Sequence, residues 1–151
     1  MTVPYVTRLY MQVSSAGSGV DVSQPFPPAP FAAVVTLVQY VPAQTMASAT
    51  ATASGFRQFS LYNRQGSASS GTGTPIIARA HLTSLSTTLA NTVGQFGAGL
   101  LAKVASTVQL NSVTASLTVA AGDILEWETL HSATSGVQEV GGEIVVTLSR
   151  I

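Results

Sequence analysis

Apolar residues in this chain recur at every second position, in short runs cut by Gly, Ser and Pro, and nowhere at the spacing of a long amphipathic helix. That pattern confines the chain to half-buried strands. Residues 3–13 place Val3, Tyr5, Leu9, Met11 and Val13 on one parity, with Arg8 and Gln12 on the other. Ala33 to Val41 is Val-rich and stops at Pro42, and Phe56 to Arg64 sets Phe59 and Leu61 against Phe56 and Tyr62. Ile76 to Thr83 puts Ile76, Ala78, Ala80 and Leu82 on one parity. Val113, Ala115, Leu117 and Val119 alternate with Thr114, Ser116 and Thr118, the cleanest such segment in the chain. Ile124 to His131 and Glu143 to Ile151 complete the set. Many short strands without a long helix predict an all-β sandwich or barrel.

Between the strands, Ser14 to Gly19 reads as a flexible loop, Gln65 to Pro75 as a long exposed loop and Ser132 to Gly142 as another. Ala120-Ala121-Gly122-Asp123 predicts a turn, because Gly supplies a positive φ and the Asp carboxylate can accept from nearby backbone amides. Ala43 to Ser54 is irregular. Residues 84–106 carry Gly94, Gly97 and Gly99, with one or two helical turns expected over Leu100 to Ala105.

A chain of 151 residues is long enough for one self-sufficient domain, burying about 68–70% of the surface its unfolded form exposes. It has no cysteine, which removes disulfides and thiolate metal sites and fits synthesis in a reducing compartment. Charged residues make up only 8%, with net charge zero, against about 25% in an ordinary soluble domain. One lysine, Lys103, and five scattered arginines argue against nucleic acid, which demands clustered cations. Ser and Thr occupy the polar positions instead. Such a surface is weakly defended against association, and two readings stay open: a hydroxyl-coated soluble protein, or one that functions assembled.

The first residues, Met1 to Arg8, lack the basic leader and apolar run of a secretory signal. The longest apolar stretch, Phe31 to Val38, is broken by Thr36 and falls far short of the ~20 residues that span a bilayer. The expectation is a protein made in the cytoplasm, without a membrane partner.

Pro25-Phe26-Pro27-Pro28-Ala29-Pro30-Phe31 must be extended and cannot occupy a sheet interior. Residues 1–30 therefore divide from a sandwich domain at 31–151 as a strand followed by a partly extended N-terminal arm. Either the arm packs over its own domain through Phe26 and Phe31, or it reaches a neighbouring subunit. In the second reading the interface residues are Tyr5, Arg8, Tyr10, Pro25, Phe26, Pro28 and Phe31.

Catalytic chemistry finds little support. A Ser/His/Asp arrangement would have to draw on His81 or His131 with Asp21 or Asp123, and no Gly-x-Ser-x-Gly elbow occurs. Two histidines fifty residues apart make no zinc site, and no calcium loop is present. Glu126 and Glu128 share a strand face, where a glycosidase pair is possible but a solvated face or partners for arginine fit better. Gly66, Gly71 and Gly73 lack the following Lys and helix of a phosphate loop. Trp127 lies on the parity of Leu125 and Thr129, which suits a core aromatic more than a sugar-stacking platform. The expectation is neither an enzyme nor a cofactor protein.

The stretch Val119-Ala120-Ala121-Gly122-Asp123-Ile124-Leu125-Glu126-Trp127, followed by Gly141-Gly142-Glu143-Ile144-Val145-Val146, resembles the end of jelly-roll proteins of tailed-phage virions, particularly capsid decoration (cement) proteins. Phe59-Ser60-Leu61-Tyr62-Asn63-Arg64, Gly71-Thr72-Gly73-Thr74 and Ile76-Ile77-Ala78 resemble the same group. The likeness covers residues 56–83 and 107–151 and leaves the first 55 residues without a counterpart. It implies an all-β, jelly-roll-like sandwich, a homotrimer on the outer capsid surface of a virion, and the major capsid protein as partner. A Gly-Asp turn before an apolar strand also recurs in trimeric receptor-binding and adhesin heads. The alternative it leaves is therefore a phage fibre or adhesin head binding host glycans, with Trp127 or Tyr62 exposed.

Overall fold

The structure, a computed structural model, describes residues 5–17, 19–46, 57–65, 73–77, 80–82, 100–131 and 138–151. Ten strands follow one another: β1 (Val6–Ala16), β2 (Val22–Pro25), β3 (Ala33–Pro42), β4 (Arg57–Asn63), β5 (Thr74–Pro75), β6 (Ala80–Leu82), β7 (Ser106–Val108), β8 (Thr118–Val119), β9 (Leu125–His131) and β10 (Glu139–Arg150). They form two antiparallel sheets. The first runs β1-β10-β3-β7, with β8 also on β3. The second runs β2-β9-β4-β5, with β6 also on β4.

The first long strand thus pairs with the last, and β2 pairs with β9 in the opposite sheet. The chain crosses from sheet to sheet as it folds inward from both ends. This is the wrapped double Greek key of a jelly-roll sandwich, in keeping with the expected fold class. No residue of the described segments is α-helical.

The core lies between the sheets. Val38 and Tyr40 of β3 and Ile144, Val146 and Leu148 of β10 face Phe59 and Leu61 of β4 and Leu125 and Trp127 of β9. Tyr40, Phe59 and Trp127 meet with ring centroids 5.7–5.8 Å apart, which ties one sheet to the other. The parity argument places Trp127 correctly: it is 0% exposed.

Several expectations are corrected. Residues 113–119 do not form a strand. Asn111 Oδ1 accepts the Val113 amide, Thr114–Leu117 closes into a 3-10 turn, and only Thr118 and Val119 pair with β3. Period two shows what a segment could bury, and Val113, 57% exposed, buries nothing. A local side-chain bond to the backbone competes with the ladder and wins. Leu100 to Ala105 is not helical either. Leu100 bridges to Met46, and Lys103 turns at positive φ to donate to the Pro42 carbonyl. Of the expected strand at 76–83, the described residues show a bridge at Ile77 and β6, while β5 ends the stretch read as a loop to Pro75.

β10 begins earlier than its glycines suggest. Gly142 pairs with Val13 on one side and Pro42 on the other, at φ +149. A Cβ there would stand 2.3 Å from the Val41 carbonyl oxygen, so this glycine marks a close backbone approach rather than a loop. In β3 the register shifts opposite Thr147/Leu148, leaving Thr36 as the extra residue, its hydroxyl donating to the Thr147 carbonyl. The bulge lets Val35 and Val38 both face the core, which is why 31–38 reads as an apolar run without alternation. The turn at 120–123 forms as read, with Gly122 at φ +88 and the Asp123 carboxylate accepting the Ala120 amide. The irregular stretch 43–54, the loop 65–75, the glycines 94–99 and the loop 132–142 lie wholly or mostly outside the described residues.

Residues 5–30 are built into both sheets. β1 pairs with β10 over nearly its whole length, and β2 extends the second sheet with Pro25 at its end. Within the chain the Pro-rich stretch packs on its own domain. Phe26 is buried and donates its amide to the Leu125 carbonyl, and Ala29 donates to Asp123.

Candidate docking surface

Two places concentrate polar chemistry or exposed aromatics, and they differ in kind. The first is a closed cluster between the sheets. Arg57, 0% exposed, donates through its guanidinium to the carbonyls of Val20 (2.8 Å) and Gly17 (3.1 Å) and to the Thr129 hydroxyl (3.4 Å). It thereby pins the β1–β2 loop that the sequence marks as flexible. Nearby, the Tyr40 hydroxyl lies 2.5 Å from Glu139 Oε1 and 3.0 Å from the Gly141 carbonyl, and the Gly141 amide donates to the same carboxyl oxygen.

Burial raises the pKa of Glu139, against the pull of the Tyr40 hydroxyl and the Arg57 charge. Burial likewise raises Tyr40, with the Glu139 charge adding to it, and lowers Arg57 despite Glu139. The Tyr40 hydroxyl donates to Glu139 Oε1, with the Gly141 carbonyl as a second acceptor within reach. Sealed from solvent, the cluster orders loop and strand ends.

Other polar candidates resolve as structure. Glu126 accepts from the Ser23 hydroxyl and lies 3.4 Å from the Arg64 guanidinium, the arginine-partner reading of that strand face. His131 Nδ1 sits 2.7 Å from Asp21 Oδ1, which also accepts the His131 amide. Burial works against it, yet the His131 hydrogen bonds hold the Asp21 pKa below its usual value. His81, on β6, stands in register with Gln58 across β4 from β9. Among the described residues no three His, Cys, Asp or Glu side chains gather as metal ligands, and no helix is long and apolar enough to cross a membrane.

The second place is the outer face and free edge of the first sheet. Alternation along β1 turns Leu9, Met11 and Val13 inward and leaves Val6, Arg8, Tyr10, Gln12 and Ser14 exposed. Val6 is 54% and Tyr10 53% exposed, large values for such side chains on a strand. Pairing carries the face across β10 and β3 in rows: Gln12, Glu143 and Val41; Tyr10, Val145 and Gln39; Arg8, Thr147 and Leu37. Among the described residues Arg8 and Glu143 are its only charges, and Gln12 donates to Glu143 at 3.0 Å.

The seven residues read as an interface are not one patch. Arg8 and Tyr10 share this face. Tyr5 is exposed at the start of β1, edge-on to the half-buried Phe31, over which Arg150 lies. Phe26 belongs to the core, while Pro25 and Pro28 are exposed near the second sheet's β2 end. Sequence reasoning missed Val6, Leu37, Val41 and Val145, whose outward placement follows from strand register. The buried Trp127 cannot serve as a stacking platform, and Tyr62 is half-buried.

The chain matches no family model, no curated protein and no solved structure at a significant level.

Proposed function

We propose that the protein is a structural virion protein that decorates and stabilises a phage capsid by docking on the lattice of its major capsid protein. The observation that carries the reading is the outer face of the first sheet, exposed along β1, half-buried to buried across β10 and β3, and bearing one cation and one anion among the described residues. Docking such a face on another protein costs little charge desolvation, and interface cores are depleted in charge. The jelly-roll frame and the resemblance of residues 56–83 and 107–151 to decoration proteins point the same way. The assigned role needs contact area and no reaction, which suits a chain whose buried ionisable groups are sealed away.

The test is cosedimentation of the purified protein with capsids that lack it, followed by thermal disruption of the particles. Saturable binding and a higher disruption temperature are expected. Capsids that leave the protein in the supernatant, together with retention on a glycan surface, would replace this reading with that of a fibre or adhesin head.

A further inference from the structure

We propose that β1 is a self-pairing edge: two copies of this chain join antiparallel through Arg8–Gln12, about a two-fold axis at Tyr10. The proposal goes beyond capsid docking, does not depend on it, and departs from the homotrimer that the resemblance to decoration proteins implies.

The free edge follows from hydrogen-bond direction. The Arg150 amide donates to the Tyr5 carbonyl, so Tyr5 and Arg150 are a hydrogen-bonded pair of the β1–β10 ladder. In an antiparallel ladder such pairs alternate with non-bonded ones. Odd-numbered residues of β1 therefore turn their amides and carbonyls toward β10, and Val6, Arg8, Tyr10 and Gln12 turn theirs away. Among the described residues no strand lies on that side, since β1 ends its sheet. At Ser14 the edge is stopped: Gln24 Oε1 accepts the Ser14 amide, and Gln24 Nε2 donates to the Ser14 hydroxyl. Long edges are usually blunted by Lys, Pro or a bulge. Val6 to Gln12 carries none of these and pairs with β10 without a register break.

Charge selects a second copy and its register. With Tyr10 opposite the partner's Tyr10, each Arg8 lies opposite the partner's Gln12. Gln12 already holds Glu143 on its other side. Each subunit's cation then faces the other's Gln12–Glu143 row, and the arrangement repeats by symmetry, as an isologous contact requires. The pairs Arg8–Gln12, Tyr10–Tyr10 and Gln12–Arg8 each exchange both backbone bonds, using only amides and carbonyls that point outward. Centring on Arg8 would oppose two guanidinium groups. Centring on Gln12 would bring the two Glu143 rows together and leave Arg8 without an anion. Like charges directly opposite destabilise a strand pair. On the inner side, the partner's strand would cover Leu9, which is only partly buried.

The experiment is sedimentation equilibrium of the full chain, with hydrogen exchange of the β1 amides. A dimer of twice 15.5 kDa is expected, with the outward Tyr10 amide protected in the dimer and exchanging freely on dilution. Tyr10→Lys, which sets two ammonium groups on the axis, should weaken the dimer by about tenfold or more. Arg8→Glu should weaken it similarly, and Arg8→Glu with Glu143→Arg should restore it. The restoration keeps the test decisive even if Tyr10→Lys misfolds. A monomer at roughly 100 μM, weaker than any stable assembly, a trimer, or a dimer indifferent to the Arg8 and Glu143 exchange would each overturn the proposal. Capsid binding by a protein that stays monomeric would overturn the edge pairing while sustaining the docking reading.

Discussion

The interior around Arg57 and Glu139 and the outer face of the first sheet divide the chain's polar and apolar chemistry in an unusual way. Inside, a guanidinium, a carboxyl and a phenol are fully buried; outside, Tyr10 and Val6 stand in solvent among hydroxyls and amides. The buried groups are anchored by short bonds to backbone carbonyls and to one another, whereas the outward side chains of β1 are exposed. Polarity inside holds loop and strand ends in one arrangement. The scarcity of charge outside leaves a face that can be covered at little electrostatic cost. The low overall charge therefore describes two things, a few charges committed to the interior and an outer sheet face with one cation and one anion among the described residues.

If the interior cluster is structural, its disruption should give the largest stability losses in the molecule. Arg57→Ala removes three donor contacts and a fully buried side chain and frees the β1–β2 loop carbonyls of Gly17 and Val20, so a loss of about 3–5 kcal/mol is expected from urea unfolding. A loss near zero would break the comparison, because the β1–β2 loop would then be held by something else. Tyr40→Phe keeps the ring packed on Phe59 and Trp127 and removes only the hydroxyl. It should cost about 1–3 kcal/mol, as Glu139 and Gly141 lose their shared partner.

The sheets were legible in sequence where both sides of a strand are covered, and least where a local bond or a bulge intervenes. Ile124 to His131 alternates and becomes β9, with Leu125, Trp127 and Thr129 all inward. Residues 113–119 alternate better and become a 3-10 turn, because period two records side-chain character while Asn111 supplies a competing acceptor. Of the docking surface, Arg8 and Tyr10 could be read from parity alone. Leu37 could not, since the Thr36 bulge decides which way it points, nor could Val145, whose neighbours Tyr10 and Gln39 come from distant segments. Nothing in the sequence placed Arg57 beside Tyr40 and Glu139, because their meeting depends on two sheets packing face to face.

The pH dependence of stability separates the two regions further. Burial raises the Glu139 pKa above the ordinary 4.5, so its contribution is fully present below that value and is lost as pH rises through the folded-state pKa. Glu139→Gln should remove this alkaline-side loss while preserving the cluster, a flatter curve in urea unfolding between acidic and neutral pH. Asp21 runs the other way. Held down by His131, it contributes stability above its ordinary 3.8 that disappears as pH falls through the lowered value, and Asp21→Asn should erase only that acid limb. Two variants that shifted the same limb would show that the groups are coupled.

The smallest stability effect is expected at the exposed aromatic in the middle of β1. Tyr10 stands outward on an edge strand, 53% exposed, and its amide points away from β10. Tyr10→Ser therefore removes little buried area from the isolated chain and should change unfolding free energy by no more than about 0.5 kcal/mol under dilute conditions. The same substitution at high protein concentration should lower the melting temperature more, because binding to the folded state adds stability by mass action. A Tyr10→Ser chain that lost several kcal/mol when dilute would mean that Tyr10 packs within its own subunit. The contrast between an interior that fixes the fold and a face left for a partner would then have to be redrawn around Val6, Leu37 and Val145.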